Sequence, residues 1–434
     1  MSIFNGQRLT NDVLQLDFEG IRRGIYTDRY FENVRFLLSE LSQKGYTYRN
    51  QAIGDIEVEA QWFTRRAPMA IVGGVDAVLE IFRHCVGYFD EEKNFVNKRD
   101  ALEIEAVQDG VCVFYHGDPA DVAPVIRVRG MYRYFGQLET VTLGLLSRIS
   151  RMATNTYELL KASKGKPVLF FPARYDLYQT QAADGYGYHL GVQRYNMDHR
   201  ASAPTFISTD AQGAWWGGKG GGTIPHALIA SFLGDTVEAM LQFAAILPPA
   251  TPRIALVDFE NDVVSTSLAV TKAMFERYLA LKQANDDSAE RFKLNGVRVD
   301  TATNLRDKSV EPLGDPNLDL GVNPRMITTL RRALNNAWQS WDIPTAWQAE
   351  AEAYCQQIRI VATGGFSVEK IALFERLGVP VDVYGVGSSF LLNDSAHNTD
   401  FTTDVVRVKC DGQWIDIAKV GRRPNDNPDL ALVR

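Results

Sequence analysis

Cysteine is scarce in this chain of 434 residues: there are four, Cys85, Cys112, Cys355 and Cys410, and no two stand close enough for a Cys-x-x-Cys pair. That argues against a cysteine-based metal centre and a disulfide framework, and leaves scattered thiols of the reduced, buried kind. Basic residues are also in deficit. Lys and Arg number 46 against 53 Asp and Glu, a net charge of −7, which argues against a nucleic acid held through its phosphates. Long apolar runs are absent too. The stretch near Met240 to Leu247 is far too short to span a bilayer, and Met1 to Thr10 has no apolar signal-like core. No internal repeat or low-complexity tract is visible. The expectation is a cytoplasmic protein of two or three domains, with 45% apolar residues to build its cores.

Glycine is what stands out among the residues present. Gly217 to Leu228 reads GGKGGGTIPHAL. Such a backbone can bring amides close to a phosphate, and Lys219 adds a point charge. His226 falls at the expected start of a helix, where it suits an acid, a base or a phosphate acceptor. Two further glycine turns, after Val361 and after Tyr384, each follow an apolar strand. Three such turns suggest one site for a heavily phosphorylated small molecule.

The periodicity changes along the chain. Asp28 to Gln43 has helical spacing, and Ile53 to Phe63, Val111 to Tyr115 and Val125 to Val128 read as strands of an antiparallel or mixed sheet. Gln137 to Leu160 is a long helical pattern. Thereafter the strand-like runs Val168 to Phe171, Ile254 to Phe259, Gly296 to Asp300, Ile358 to Thr363 and Val381 to Tyr384 alternate with helical runs. The helical runs are Ile224 to Leu247, Val264 to Gln283 and Ser367 to Leu377. This alternation predicts an α/β fold with a parallel sheet or barrel, whose strands carry chemistry at their C-terminal ends. Val405 to Cys410, Asp411-Gly412 and Gln413 to Ala418 read as a hairpin that packs on the N-terminal sheet. Three regions result: an α+β domain over 1–135, the barrel over 136–395, and the hairpin segment 396–434.

The strand ends hold the candidate chemistry. One ends in Phe171-Pro172-Ala173-Arg174. Another places Arg298 and Asp300 on one face, either side of Val299. Asp258 and Glu260 end a third. Gly364-Gly365 leads to Ser367, a candidate N-cap, so the following helix can meet an anion. Gly385-Val386-Gly387-Ser388 repeats the design. Alone, a Gly-Gly is only a turn and an Arg-x-Asp only an ion pair; succession on neighbouring strands favours a shared site.

In their order these segments resemble the nicotinate phosphoribosyltransferase family of type II phosphoribosyltransferases, over roughly Tyr26 to Phe390. The resemblance runs through Thr27-Asp28-Arg29-Tyr30 and Leu138-Glu139-Thr140 with the helix that follows. It continues through Phe171 to Arg174, Gly222-Thr223-Ile224-Pro225-His226-Ala227-Leu228 and Leu256-Val257-Asp258. Val297 to Thr301, Thr363-Gly364-Gly365-Phe366 and Tyr384 to Ser388 complete it. It implies an irregular TIM-like barrel beside a sheet domain built from both chain ends. It also implies a reaction: nicotinate displaces pyrophosphate from phosphoribosyl pyrophosphate, with Mg²⁺ and coupled ATP hydrolysis, in a homodimer or larger homo-oligomer with shared sites.

By the same resemblance, Phe171 and a second subunit's Tyr30 hold the pyridine ring, and Arg298 sits near nicotinate. Asp300 holds a ribose hydroxyl, with Asp258 beside it. Gly364, Gly365, Gly385, Gly387 and Ser388 meet the 5′-phosphate. Arg174, Lys219 and Thr223 face phosphate oxygens, Glu139 belongs to the site, and His226 matches the histidine that ATP phosphorylates; no residue is assigned to metal. The chain departs from the pattern at Pro172-Ala173, at Asp300-Thr301-Ala302-Thr303 and at Trp215-Trp216. Those changes leave nicotinamide or quinolinate open as the base, and an inactive NAD-precursor-binding paralogue open as the role.

Overall fold

A 24-residue helix, Glu139–Ala162, joins two hydrophobic cores. Leu146 near its start packs in the core of the N-terminal domain, while Ile149, Met152, Ala153, Leu159 and Leu160 pack in the barrel core. The structure, a computed structural model, describes residues 7–433, so part of the Met1 to Thr10 stretch lies outside the described residues. Among the described residues no helix is long and apolar enough to cross a membrane.

The first core lies under a six-stranded antiparallel sheet. Its strand order is Gln413–Asp416, Phe401–Cys410, Glu57–Thr64, Ile126–Met131, Glu103–Ala106, Ala431–Leu432. Both chain ends therefore enter one sheet. Asp411 and Gly412 both have positive φ, 51° and 79°, and form the two-residue turn between the last long strands. Alternation along Glu57–Thr64 directs Val58, Ala60 and Trp62 into the core.

The second core fills an α/β barrel. Five parallel strands stand in the order Val168–Phe170, Val383–Val386, Arg359–Ala362, Gly296–Val299, Ile254–Leu256. Single parallel bridges extend the first of these to Ile207 and then to Gly220. Followed round, the wall runs in chain order, and among the described residues no bridge joins Gly220 to Ile254–Leu256. The barrel thus has one open seam, and the C-terminal strand ends gather at one mouth.

One local expectation changes, and two features that the sequence left open are resolved. The helix expected over Ile224 to Leu247 is two helices, His226–Ser231 and Thr236–Ile246. Leu233 and Gly234 take φ of 57° and 90°, which ends the first, and Asp235 caps the second by accepting from the Glu238 amide. Gln181–His199 is a helix that periodicity did not reveal, because Gly185, Gly187 and Gly191 dilute its pattern. Those glycines serve close packing: a Cβ on Gly187 would stand 2.6 Å from Met152 Cβ, and one on Gly191 2.4 Å from the Ala153 carbonyl oxygen. Trp215 and Trp216, open between core and an aromatic wall from the sequence, belong with the barrel core: Trp215 is part of it and Trp216 packs against it. Trp215 packs against Tyr186, and Trp216 stacks on His189 with ring centroids 4.3 Å apart.

Candidate active site at the barrel mouth

A side-chain hydrogen bond bridges the open seam. His226, the first residue of its helix, lies with Nε2 3.0 Å from Oδ1 of Asp258, which follows Ile254–Leu256. The Asp258 side chain is 8% exposed and the His226 side chain 45%, so the carboxylate anchors and the ring faces solvent. Burial pushes the Asp258 carboxyl above its ordinary value; His226 opposes the rise and the charge of Asp300 adds to it.

The network continues around the rim. Arg298 and Asp300 leave the same face of their strand, 4.0 Å apart. Burial pushes the Arg298 guanidinium down, Asp300 and Asp258 pull it back, and the positive charge of Arg174 pushes it down further. Its Nε is buried without a hydrogen-bond partner. Arg174 lies over the Tyr175 ring, 5.4 Å from its centroid. His226, Asp258, Asp300, Arg298 and Arg174 thus interact in sequence across three strand ends and the seam.

Glycines shape the floor. A Cβ on Gly385 would stand 2.4 Å from Thr363 Cγ2 and 3.0 Å from the Phe171 ring, and one on Gly387 would stand 2.6 Å from the Tyr175 ring. Two aromatic rings therefore lie against alternate positions at the end of one strand. Gly364 and Gly365 take φ of 90° and 69°, the left-handed conformation that admits glycine most readily. A Cβ on Gly364 would come 3.6 Å from Asp300 Oδ1, so this loop borders the charged network. Among the described residues no acceptor takes the amide N–H of Gly364, Gly365 or Gly387.

Four amides of the run from Gly217 to Gly222 are already engaged within the protein. The Gly217 and Gly218 amides donate to the Gly213 carbonyl, the Gly221 amide to the Ile207 carbonyl, and the Gly220 amide to the Asp210 carboxylate. Lys219, just before the last bridge at Gly220, is exposed, and Thr223, just after it, is half-buried. Ser388 is exposed at the start of the short turn after Gly387.

Tyr30 and Glu139 stand apart from this group. Tyr30 is 59% exposed on the helix Arg29–Gln43, and its nearby charges are Asp28 and Glu139. Burial pushes the Glu139 carboxyl up to about 7, with Asp404 and Asp28 adding to the rise. A carboxyl raised by folding contributes stability that is fully present below its ordinary value of 4.5 and is lost as pH rises through about 7. Glu139→Gln is therefore expected to melt above the wild type at pH 8 and near it at pH 4.5. Thermal unfolding at both pH values checks this, and an equal offset at the two would refute it.

The fold has known counterparts. The chain aligns with a nicotinate-nucleotide pyrophosphorylase from Pyrococcus furiosus at TM-score 0.62 and 23% identity, over 96% of this chain and 85% of that one. It aligns with human nicotinic acid phosphoribosyltransferase at TM-score 0.58 and 16% identity, over 88% and 74%. Residues 28–150 match the family of the quinolinate phosphoribosyl transferase N-terminal domain. The fold is that of the type II phosphoribosyltransferases.

Within this phosphoribosyltransferase fold, two residues at the mouth escaped the sequence reading. Tyr175 adjoins Arg174, and no periodic signal separates a rim aromatic from a loop one. Lys370 sits in the first turn of Val368–Arg376, a position that looks like an ordinary surface lysine. Among the described residues no three His, Cys, Asp or Glu side chains converge on one point, so the chain has no ready-made magnesium cage. A magnesium ion here would take most of its ligands from pyrophosphate and water.

Proposed function

We propose that this protein is a nicotinate phosphoribosyltransferase acting in NAD synthesis in the cytoplasm. The supporting observation is the meeting, at one barrel mouth, of three free loop amides, two guanidiniums and the carboxylates Asp258 and Asp300. The bond from the anomeric carbon to pyrophosphate breaks, and its electron pair leaves with pyrophosphate. The pyridine nitrogen lone pair forms the new C–N bond, and no proton changes hands. Asp300 and Asp258 stabilise the cation-like ribosyl carbon, with Asp300 also accepting from a ribose hydroxyl. The Gly364, Gly365 and Gly387 amides and the Ser388 hydroxyl take the 5′-phosphate, while bare Gly385 leaves room for Phe171.

Phe171 and the partner's Tyr30 hold the flat base for in-line attack, which makes the working unit a homodimer or larger assembly. Arg298 binds the nicotinate carboxylate through its fork of donors. Arg174, Lys219 and Thr223 meet the pyrophosphate oxygens, with magnesium as their counter-ion. ATP raises turnover by phosphorylating His226. Donation from Nε2–H to Asp258 leaves Nδ1 with its lone pair, so Nδ1 attacks the γ-phosphorus and ADP departs. Water later takes the phosphoryl group from nitrogen.

One observation favours a second base. Two neighbouring guanidiniums, Arg298 and Arg174, suit a dicarboxylate, and the family match over residues 28–150 is to a quinolinate-using group. Quinolinate would lose its second carboxylate as carbon dioxide. The deciding assay supplies phosphoribosyl pyrophosphate and magnesium with nicotinate, quinolinate or nicotinamide, with and without ATP. Pyrophosphate release that requires nicotinate and rises with ATP is expected. Release with quinolinate plus carbon dioxide would favour the second reading, and release with none of the three would overturn both.

A further inference from the structure

We infer that Lys370 is a positioning residue of the phosphate loop, aiming the Gly365 amide into the mouth and supplying the loop's buried positive charge. The inference rests on the phosphoribosyl reading above, because it names what that loop holds. Lys370 Nζ donates to the Gly364 carbonyl oxygen at 3.1 Å and lies over the Phe366 ring, 4.5 Å from its centroid. In a planar trans peptide the carbonyl of one residue and the N–H of the next point in opposite directions. A lysine that holds the Gly364 carbonyl on the protein side therefore turns the Gly365 N–H outward. That amide has no acceptor among the described residues.

The placement of the charge is otherwise unfavourable. Lys370 lies in the first turn of its helix, where the backbone dipole already presents positive charge and a cation is disfavoured. Its own amide donates to the Ser367 hydroxyl that caps the helix. Among the described residues no carboxylate forms an ion pair with the ammonium. An anion held by the Gly364 and Gly365 amides would neutralise both the dipole and the lysine.

The charged surroundings are few. Asp300 borders the loop from the neighbouring strand. Glu369, on the same helix, is exposed and turned to Ser367, with His397 and Asp394 on its outer side. Tyr384 packs under Phe366, and its hydroxyl donates to Glu375. Burial pushes the Lys370 ammonium down to about 8. Its charge is thus present at neutral pH and is lost as pH rises through that value. Phosphate monoesters have finished titrating by then, with a second pKa of about 6, so a further fall in affinity there reports the protein.

The test uses Lys370→Met, which keeps the stem over Phe366, and Lys370→Arg, which keeps the charge. Each is first shown to fold by its melting curve. For Lys370→Met, the KM for phosphoribosyl pyrophosphate is expected to rise roughly ten- to a hundredfold, the scale of a lost charge-assisted hydrogen bond. The KM for the base should stay within twofold, and Lys370→Arg should recover part of the loss. Calorimetric titration with ribose 5-phosphate, a phosphate monoester, should show affinity falling between pH 7.5 and 9 in the wild type and flat in Lys370→Met. An unchanged KM for phosphoribosyl pyrophosphate, or an equal loss for both substrates, would overturn the assignment. The phosphate titration separates the two ideas. If no base is turned over but phosphate binding still depends on Lys370 and pH, the transferase reading fails and the role of Lys370 stands. A pH-independent phosphate affinity in the wild type would sink the latter.

Discussion

Replacing Arg298 by alanine is expected to raise the KM for nicotinate by roughly 30- to 900-fold, the equivalent of about 2–4 kcal/mol for removing one partner of a buried charge-assisted pair. The structure gives two reasons for so large an effect. The guanidinium is desolvated enough for burial to push it down, and its Nε is buried without a partner. A ligand carboxylate would satisfy that donor, whereas an exposed arginine would already have water there. The same substitution leaves Asp300 without its nearest cation. A smaller fall in kcat is expected to accompany the KM change, because the proposed mechanism sets Asp300 beside the ribosyl carbon. Steady-state kinetics with nicotinate varied at saturating phosphoribosyl pyrophosphate measures both. A KM within threefold of the wild type would remove Arg298 from the base site.

His226→Ala is expected to abolish the stimulation by ATP while leaving slow ATP-independent synthesis. The geometry gives the reason for separating the two effects. His226 touches the rest of the mouth through Asp258 alone among hydrogen bonds of the described residues, whereas the Gly364 loop, Arg298 and Phe171 lie on strands beyond Asp258. On the proposed reading, losing the ring removes the phosphoryl acceptor while the Gly364 loop, Arg298 and Phe171 keep their own contacts. Initial rates with and without ATP, and acid-labile incorporation of label from γ-labelled ATP, read this out. Persistent stimulation or labelling in the variant would exclude His226 as the acceptor.

The α/β class and the five main barrel strands were legible because apolar runs followed by glycine or charge mark parallel strands strongly. Arg298 and Asp300 were legible as a pair because strand alternation puts them on one face. The helix Gln181–His199 was hidden, since its glycines answer to the neighbouring helix and not to local preference. The glycine run at Gly217 misled in the opposite direction. Its composition suits a phosphate, yet Asp210, Gly213 and Ile207 already occupy four of its amides. Lys370 was illegible for a further reason: what matters is the carbonyl it grips, and that depends on how the loop folds back over its own helix.

The sheet that takes strands from both chain ends has a consequence for synthesis on the ribosome. Glu57–Thr64 emerges early, but its neighbour Phe401–Cys410 is made more than three hundred residues later. Until then that edge lacks its partner, so the domain translated first is among the last to be completed. Emergence of Phe401–Cys410, rather than of the barrel, is the event that closes this sheet.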